Sequence, residues 1–473
     1  MIRMIRNTTS GGAESGGEVW AFMPQTSMFA QKKLRANAAG SGHPYTVDGA
    51  PVAFFLDKDS DGTIEPEQGD KVYLYFGLRR GGKAYYAMDI TNPEQPDLLW
   101  SIGKGSVGFE ELGNTFSTPR VGLVRVGAND VPVVMFGGGY DFNKDLRGDV
   151  GTNDSEGNAI CVVNATDGSL VWKAVGPGGN TSGNAFFHGD LVDSIPSALA
   201  VADMDGDGYT DRIVVGDTGG NVWRADLNGY ETGAWSLSLL ASLGRHALNS
   251  GGKEDDRRFF HRPDLVPSRD EHGSFDAVLI GSGDRPDPLD MGGMVENYFY
   301  MIKDRNIAVG QGIDTGIDHS YLADVTDNCL QVGGCSSAID LGDGWKLQLE
   351  APGEKVLATP ITIAGTVYFT SYVPQGELGV DSCSPSEGGG RLWALDIQNA
   401  FSAVNYNTSD DTEENPDAPT TKADRFTTLL SPGIPAEVVS IPPNKILRPD
   451  LQIDNVNTSV RWRTFWHLEE EEL

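Results

Sequence analysis

The 473-residue chain repeats one short unit: a strand, a Gly-containing turn, a second strand with aromatic residues, then Asp or Asn and another turn. Five copies begin near Lys71, Val131, Asp211, Phe275 and Gly365. One unit makes a small antiparallel sheet that cannot bury its apolar face alone, and radial stacking of such sheets gives a β-propeller. We therefore predict an all-β chain, a modified β-propeller with inserted surface loops. Partial copies at both ends bring the count to six or seven blades, and we expect seven.

Helical periodicity is scarce, and the 60 glycines favour many turns over long helices. Because 39% of the residues are hydrophobic, the chain can bury a substantial core. We predict one propeller domain over residues 16–473, preceded by a disordered or truncated lead at 1–15. Residues 407–424 are expected to form an acidic surface loop. The apolar stretch that starts at Val460 is a candidate strand for completing the first sheet.

The formal net charge of -31 restricts the partners of the chain. Such a surface repels phosphate backbones, which argues against nucleic-acid binding, and it favours cations and basic partners. No stretch approaches the roughly 20 apolar residues that span a bilayer, so we expect no transmembrane segment. The amino terminus contains Arg but no apolar stretch of the signal-peptide type, so an exported protein would need a signal that this chain does not show.

The cysteines fall into two kinds of sequence environment. Cys161 lies in an apolar run and is predicted to be a buried thiol. Cys329 and Cys335 flank a polar, Gly-containing segment. The sequence is compatible both with a disulfide that closes a small loop and with two free thiols. Because paired C-x-x-C spacing is missing, no zinc site is predicted.

The strongest chemical motif is "ADMDGDGYTD", which places four carboxylates in nine residues between two predicted strands. Counted from Asp203, the acids Asp205, Asp207 and Asp211 stand at positions 3, 5 and 9. Alternate positions in a tight loop turn their carboxylates towards one centre, and Ca²⁺ prefers six to eight oxygen ligands. Four close carboxylates without a cation would repel one another, so we favour a calcium site over a metal-free turn held by Asx hydrogen bonds.

The motif differs from an EF-hand at position 12, where Val214 stands in place of Glu. The flanking segments are predicted strands rather than helices, so Asp211 must close the site. Tyr209, at position 7, is expected to offer its backbone carbonyl as a ligand.

A second acidic loop follows the same spacing. Asp57, Asp59 and Asp61 fill positions 1, 3 and 5, with Thr63 at position 7 and Glu65 at position 9. We predict that this loop also binds calcium.

Other motifs carry less information. Residues 103–108 match G-x-G-x-x-G without a following helix, which indicates a plain loop. The chain has neither an H-E-x-x-H pair nor a G-x-S-x-G elbow, and we predict no enzymatic activity. The Arg-Gly-Asp tripeptide at 147–149 is expected to occur by chance.

Four tryptophans recur at equivalent places of the repeats and are predicted to pack neighbouring blades: Trp100, Trp172, Trp223 and Trp393.

The segments "AYYAMDITNPEQPDLLW", "CVVNATDGSLVW" and "RLWALDI" resemble the quinoprotein-type propeller repeat. Together with "EVWAFMP", "FSTPRVG", "GGGYD" and the Asp203 loop with its trailing "GDTGGNVWR", they make the chain similar to the C-terminal propeller of the PilY family. The resemblance extends from about Glu18 to Asp396. PilY proteins are surface proteins of Gram-negative bacteria that are associated with type IV pili.

The resemblance implies a calcium-binding, modified seven-bladed propeller that acts in pilus biogenesis, in the balance of pilus extension and retraction, and in adhesion. It implies minor pilins and a host surface as partners, and a location on the cell surface or pilus, or at the outer membrane or periplasm. The resemblance implies that the five residues predicted in the Asp203 loop correspond to the family's calcium ligands. It does not assign calcium ligands to the Asp57 loop. The family's variable N-terminal region has no counterpart in this chain.

Two alternatives remain open at the level of sequence. A quinone-dependent dehydrogenase would share the propeller repeats, although adjacent cysteines and an obvious catalytic base are missing. An integrin-α-like adhesion propeller would share the Asp203 loop, but that family places such loops in several successive blades.

Overall fold

The computed structural model describes residues 1–7, 15–38, 42–59, 61–145, 152–244, 252–290, 295–308, 312, 314–374, 387–411 and 421–456. Within these ranges the strands form seven sheets that follow one another along the sequence. The first sheet has two strands, the next five have four or five, and the last has three. The all-β prediction is confirmed. The number of blades stays a prediction, because the two terminal sheets are small.

The first four sheets contain the following strands. Sheet 1 is β1 (Ile2–Ile5) and β2 (Glu18–Phe22). Sheet 2 is β3 (Val52–Leu56), β4 (Lys71–Gly77), β5 (Ala84–Asp89) and β6 (Asp97–Gly103). Sheet 3 is β7 (Arg120–Val126), β8 (Asn129–Gly137), β9 (Ala159–Asn164), β10 (Leu170–Val175) and β11 (Ala185–Phe187). Sheet 4 is β12 (Ala200–Ala202), β13 (Arg212–Gly216), β14 (Asn221–Asp226), β15 (Ser236–Ser242) and β19 (Ile317–Asp318).

The remaining sheets and the two α-helices of the described residues are as follows. Sheet 5 is β16 (Asp264–Asp270), β17 (Gly273–Gly281), β18 (Tyr298–Asp304), β20 (Ala323–Asp324) and β21 (Gly344–Gln348). Sheet 6 is β22 (Lys355–Val356), β23 (Ile361–Ile363), β24 (Thr366–Val373), β25 (Gly389–Asp396) and β26 (Phe426–Pro432). Sheet 7 is β27 (Val439–Ile441), β28 (Lys445–Leu447) and β29 (Ile453–Asn455). The helices are α1 (Met28–Ala36) and α2 (Cys329–Val332).

The first three strands of each of sheets 2 to 5 pair antiparallel in succession, which separates the turns between them into two groups. Turns between the first and second strands lie at one end of a sheet, here called the first-turn end. Turns between the second and third strands lie at the other, called the second-turn end. Residues 57–59, 61–70 and 203–211 are at the first-turn end, whereas residues 78–83, 138–145, 152–158, 282–290 and 295–297 are at the second-turn end.

The core consists of six clusters of buried apolar side chains, one between each pair of successive sheets. A blade that cannot bury its own face thus buries it against its neighbour, as the repeat predicts. All four predicted packing tryptophans are buried. The indole nitrogen of Trp100 in sheet 2 also donates a hydrogen bond to the Ala165 carbonyl in sheet 3, at 3.0 Å. Trp345 in sheet 5 makes the same kind of link to the Ile397 carbonyl in sheet 6, at 2.9 Å.

The cysteines agree with the sequence-based expectations. Cys161 is a buried free thiol. Cys329 and Cys335 form a disulfide, which decides between the two options left open by the sequence.

Two sequence-based boundaries need correction. Residues 1–15 were expected to be a lead, but Ile2–Ile5 form β1 and pair antiparallel with β2. The acidic segment 407–424 is not solvated throughout, because Asp424 is only 1% exposed. Its carboxylate accepts hydrogen bonds from the Thr421 amide at 3.0 Å and from the Asn407 amide at 3.0 Å, which caps the turn that follows.

Two other predictions lie outside the described residues, namely the candidate strand at Val460 and the Arg-Gly-Asp tripeptide at 147–149. Among the helices that the structure describes, none has the length and apolar character needed to cross a membrane.

Candidate metal centres

The Asp203 loop is the turn between β12 and β13 at the first-turn end of sheet 4. The two strands pair from Ala200 opposite Val214 to Ala202 opposite Arg212, so residues 203–211 form a closed nine-residue turn. Gly206 and Gly208 have φ values of +82° and +92°, a left-handed conformation that glycine adopts without strain. The local sequence therefore allows two sharp reversals of the chain within this turn.

The turn gathers carboxylate oxygens around one point. One oxygen from each of Asp203, Asp205 and Asp211 lies within 4.8 Å of the others. Two oxygens bound to the same Ca²⁺ at 2.3–2.6 Å lie at most about 5 Å apart, so this spacing fits that ion. Asp207 lies outside this closest group, and the calcium centre stays a prediction.

The backbone organises Asp203 at the start of the turn. Its two carboxylate oxygens accept hydrogen bonds from the amides of Gly206, at 2.7 Å, and Gly208, at 2.8 Å. Desolvation acts to raise the pKa of Asp203, but the hydrogen bonds from Gly208 and Gly206 outweigh it and hold the pKa below its usual value. Asp203 is therefore ionised and oriented before any cation arrives.

Asp211 closes the turn and is the only buried carboxylate among the four, with 8% exposure. Its Oδ2 accepts a hydrogen bond from the Met204 amide at 2.8 Å, which ties the last position of the turn to the second. Burial raises the pKa of Asp211, and the charges of Asp205, Asp207 and Asp203 raise it further. A cation at this point would relieve that repulsion.

Asp207 and the Tyr209 side chain make contacts within the turn and with sheet 3, and the Tyr209 carbonyl stays a predicted ligand. Oδ1 of Asp207 accepts a hydrogen bond from the Tyr209 amide at 2.9 Å. The Tyr209 side chain reaches sheet 3, where its hydroxyl donates to Asp130 at 2.8 Å and its ring lies 4.1 Å from the Arg125 guanidinium. The backbone amide of Thr210 donates to the Leu123 carbonyl at 2.7 Å. The turn is thus attached to the neighbouring sheet as well as to its own.

The Asp57 loop is the corresponding turn of sheet 2, between β3 and β4. One oxygen from each of Asp57, Asp59 and Asp61 lies within 4.8 Å of the others, which again fits one Ca²⁺. Glu65 is not part of this group of carboxylates, and Thr63 stays a predicted ligand. The Thr63 amide donates to Asp61, at 2.7 Å, and the Glu65 carboxylate accepts from the Gln68 side chain.

The sequence did not identify Asp70, which is only 1% exposed and directly precedes β4. It accepts hydrogen bonds from the amides of Lys58, at 3.0 Å, and Glu65, at 2.9 Å. The Lys58 bond repeats the contact of Met204 with Asp211, because each joins the second loop position to the residue just before the second strand. Asp70, rather than Glu65, therefore closes this loop.

The two loops share further hydrogen bonds at equivalent positions. The Gly62 amide donates to Asp57 over 2.8 Å, as the Gly208 amide does to Asp203 over 2.8 Å. The signal that could have identified Asp70 is its place before a basic residue at the start of a strand, since Asp70-Lys71 parallels Asp211-Arg212. An insertion of five residues moves the closing acid out of the nine-residue spacing of the Asp203 loop.

Arg212, the first residue of β13, fixes the base of the Asp203 loop. Its guanidinium donates to Asp226 in the same sheet over 3.3 Å and to Asp276 in sheet 5 over 2.5 Å. All three side chains are at most 3% exposed. Buried ion pairs of this kind hold a fixed geometry, because a buried charge without its partner would strongly destabilise the folded state.

A family model described as "PilY1 beta-propeller domain" matches residues 18–234, a range that includes both acidic loops. The predicted resemblance to the PilY family is thus confirmed over this range. A Xylella fastidiosa protein described as "Type IV pilus biogenesis factor PilY1 homolog" is 24% identical over 397 residues, which cover 76% of this chain and 23% of that protein. The Pseudomonas aeruginosa "Type IV pilus biogenesis factor PilY1" is 30% identical over 216 residues, which cover 45% of this chain and 15% of that protein.

Among solved structures, the Pseudomonas aeruginosa PilY1 C-terminal domain superposes with a TM-score of 0.60 and 18% sequence identity. The match covers 97% of this chain and 92% of that one. At this identity the likeness concerns the fold, and it confirms the predicted β-propeller class. The chain spans less than a quarter of the length of the curated PilY1 relatives that it matches.

Proposed function

We propose that the chain is a calcium-binding propeller of a type IV pilus-associated protein of a Gram-negative bacterium, located at the cell surface or periplasm. The observation that carries this proposal is the Asp203 turn, where three carboxylates converge at a calcium-compatible spacing within a PilY1 propeller domain. The match to the PilY1 propeller model supports the link to pilus biogenesis, since the named relatives are described as pilus biogenesis factors.

Calcium would act through the connection of the turn to sheets 3 and 5. The ion supplies positive charge among carboxylates that otherwise repel one another. With that repulsion removed, Tyr209 stays on Arg125 and Asp130 of sheet 3, and β13 stays attached to sheet 5 through Arg212 and Asp276. Occupancy would thus order a surface that spans three blades and that contacts pilus components, with minor pilins as the proposed partners and a host surface as the proposed adhesive target.

The Asp57 loop belongs to the same proposal as a second calcium site. Its ligands would be Asp57, Asp59 and Asp61, with Asp70 closing the loop in the way Asp211 closes the other. Two sites on sheets 2 and 4 would place calcium at the first-turn end of both blades.

The experiment that tests this function uses the bacterium that encodes the chain. Chromosomal Asp203→Asn and Asp211→Asn variants are compared with Asp167→Asn, an exposed aspartate that caps a turn through the Ser169 amide at 2.8 Å and lies outside both loops. We expect the loop variants to lose surface pili, measured by shearing and quantification, and to regain them when the retraction motor is inactivated. Normal piliation in both loop variants would contradict the proposed role of calcium in the extension–retraction balance.

A further inference from the structure

A pocket of about 690 Å³ opens at the second-turn end of the propeller, away from both acidic loops. It is built from three sheets. Sheet 2 contributes Arg79 and Arg80, sheet 3 contributes Tyr140 after β8, and sheet 5 contributes Arg285 after β17. Asp70 and Arg79 lie just beyond opposite ends of the seven-residue strand β4, which separates the pocket from the Asp57 loop by roughly 20 Å.

Three guanidinium groups face this pocket, called here the arginine pocket and defined by Arg79, Arg80 and Arg285. In a chain with a net charge of -31, buried guanidinium groups such as those of Arg212 and Arg224 have carboxylate partners. Within the part of the chain that the structure describes, no carboxylate lies within 4.0 Å of any of these three groups. Nε of Arg79 and Nη1 of Arg285 are buried and have no hydrogen-bond acceptor there.

Uncompensated positive charge is also apparent from neighbouring titratable groups. Burial, and then the charges of Arg79 and Arg80, lower the pKa of Arg285 below its usual value. Burial, and then the charges of Arg285 and Arg79, lower the pKa of His261 to about 3. Asp48 and Asp145 also line the pocket, and Asp145 accepts a hydrogen bond from the Tyr140 hydroxyl at 2.7 Å. Three cations against two acids leave the pocket positive while the molecule as a whole is strongly negative.

The walls of the arginine pocket are aromatic. Phe116, Phe142 and Phe260 line it together with Tyr45. The Phe116 ring lies 5.2 Å from the Arg79 guanidinium, and the Tyr45 ring lies 5.0 Å from that of Arg80. Such rings hold the guanidinium planes in place and offer flat apolar surface to a ligand. The volume is in the range that encloses a small organic molecule.

The backbone at Arg79 is held in an uncommon conformation. Its φ of +49° lies in the left-handed region, which a residue with a side chain rarely adopts. The Thr115 carbonyl and hydroxyl fix this segment by hydrogen bonds with the amides of Arg79, at 3.2 Å, and Leu78, at 2.8 Å. Strained residues of this kind are concentrated at ligand sites, where the surrounding structure maintains them.

We propose that the arginine pocket binds a small organic anion that carries carboxylate groups on a planar aromatic ring. The guanidinium groups pair with the carboxylates, since planar guanidinium forks match carboxylate geometry, and the aromatic walls stack on the ring. The site is independent of calcium and of the acidic loops.

The test is isothermal titration calorimetry of the full chain with benzene-1,3,5-tricarboxylate, a planar aromatic tricarboxylate. Benzene-1,3,5-trimethanol serves as the uncharged probe, and cyclohexane-1,3,5-tricarboxylate serves as the non-aromatic one. We expect saturable binding of the aromatic tricarboxylate, at least tenfold weaker binding of the cyclohexane compound, and no detectable heat with the triol. No saturable binding of the aromatic tricarboxylate to the wild-type chain would overturn the proposal.

Variants distinguish binding in the arginine pocket from nonspecific binding of the anion to arginines elsewhere on the surface. Arg80 is exposed, so Arg80→Gln leaves the fold intact, and Arg285→Gln tests the half-buried guanidinium. We expect each to weaken binding of the aromatic tricarboxylate at least tenfold. The control is Arg269→Gln, an exposed arginine on β16 outside the pocket. Equal binding by all of these variants, with thermal melting confirming that they fold, would show that the tricarboxylate binds elsewhere and would overturn the proposal.

Discussion

The backbone amide of Met204 donates a hydrogen bond to Oδ2 of Asp211, at 2.8 Å, and so joins the second and last positions of an acidic turn. The same relationship links Lys58 to Asp70 at 3.0 Å in another blade. In both cases the acid is buried, whereas the carboxylates at positions 1, 3 and 5 are more accessible. Each turn therefore has one buried carboxylate at its base and a cluster of more exposed carboxylates above it.

Asp70 should matter more to the folded state than Glu65. Asp70→Ala leaves the part-buried amides of Lys58 and Glu65 without this acceptor, and we expect a loss of about 1–3 kcal/mol in the free energy of unfolding. Glu65→Gln should change it by less than about 0.5 kcal/mol, because that side chain is exposed and contacts only Gln68. Urea denaturation in the presence of EDTA measures both without a contribution from metal. Equal losses in the two variants would contradict the assignment of Asp70 as the closing acid.

Arg212 should be among the most sensitive positions for stability. Arg212→Met leaves Asp226 and Asp276 buried without this cation, and we expect a loss of about 3–5 kcal/mol. The matched control is Arg305→Met, which removes a more exposed pair with Asp270 and should cost less than about 1 kcal/mol. Chemical denaturation of the two variants checks the difference. A stability of Arg212→Met close to that of the control would mean that the ion pairs do not fix β13.

His319 should make the protein sensitive to mild acid. Burial, and then the charges of Arg257 and Lys346, lower its pKa to about 3, while its Nδ1 lies 3.1 Å from the Tyr300 hydroxyl. A histidine whose folded pKa is depressed stabilises the fold above its ordinary pKa, and this contribution is lost as the pH falls below about 6.5. Between pH 7 and pH 5 we expect the wild-type chain to lose about 1–2 kcal/mol more stability than His319→Gln.

The measurement for His319 is a series of urea denaturations from pH 7.5 to 5.0 on both proteins. Glutamine retains an acceptor for Tyr300 but does not titrate, so the difference between the two curves isolates the ring. Parallel curves over this range would show that His319 binds its proton equally well in the folded and unfolded chain.

Much of the fold could be predicted from the sequence because blade repeats leave a periodic pattern of strands, turns and aromatic residues. Trp100 and Trp172 recur at equivalent positions, and both pack between sheets. The Ile2–Ile5 strand was missed because four residues carry too little pattern to distinguish a strand from a lead. The burial of Asp424 was missed because it results from capping contacts with Thr421 and Asn407, and composition alone cannot indicate these.

The candidate sites also differ in how much of each could be predicted from the sequence. Alternating aspartates identify the Asp203 and Asp57 loops, because local spacing alone turns their carboxylates together. The closing residue of the Asp57 loop depends on where β4 begins, and the five-residue insertion hides Asp70 from a fixed-spacing motif. The arginine pocket had no sequence signature, since Arg79 and Arg285 are 206 positions apart in sequence and meet only through the arrangement of the sheets.

The central claim, that the two acidic turns bind calcium, is tested most directly by calorimetric titration of Ca²⁺ into metal-free protein. The wild-type chain should bind two ions, Asp211→Asn should lose the Asp203-loop event, and Asp57→Asn should lose the other, with Asp167→Asn as the unaffected control. At a free calcium concentration 100 times the dissociation constant, each occupied site should add about 2.7 kcal/mol to the free energy of unfolding. Absence of any saturable heat in the wild-type chain, or a titration unchanged in Asp211→Asn, would contradict the account.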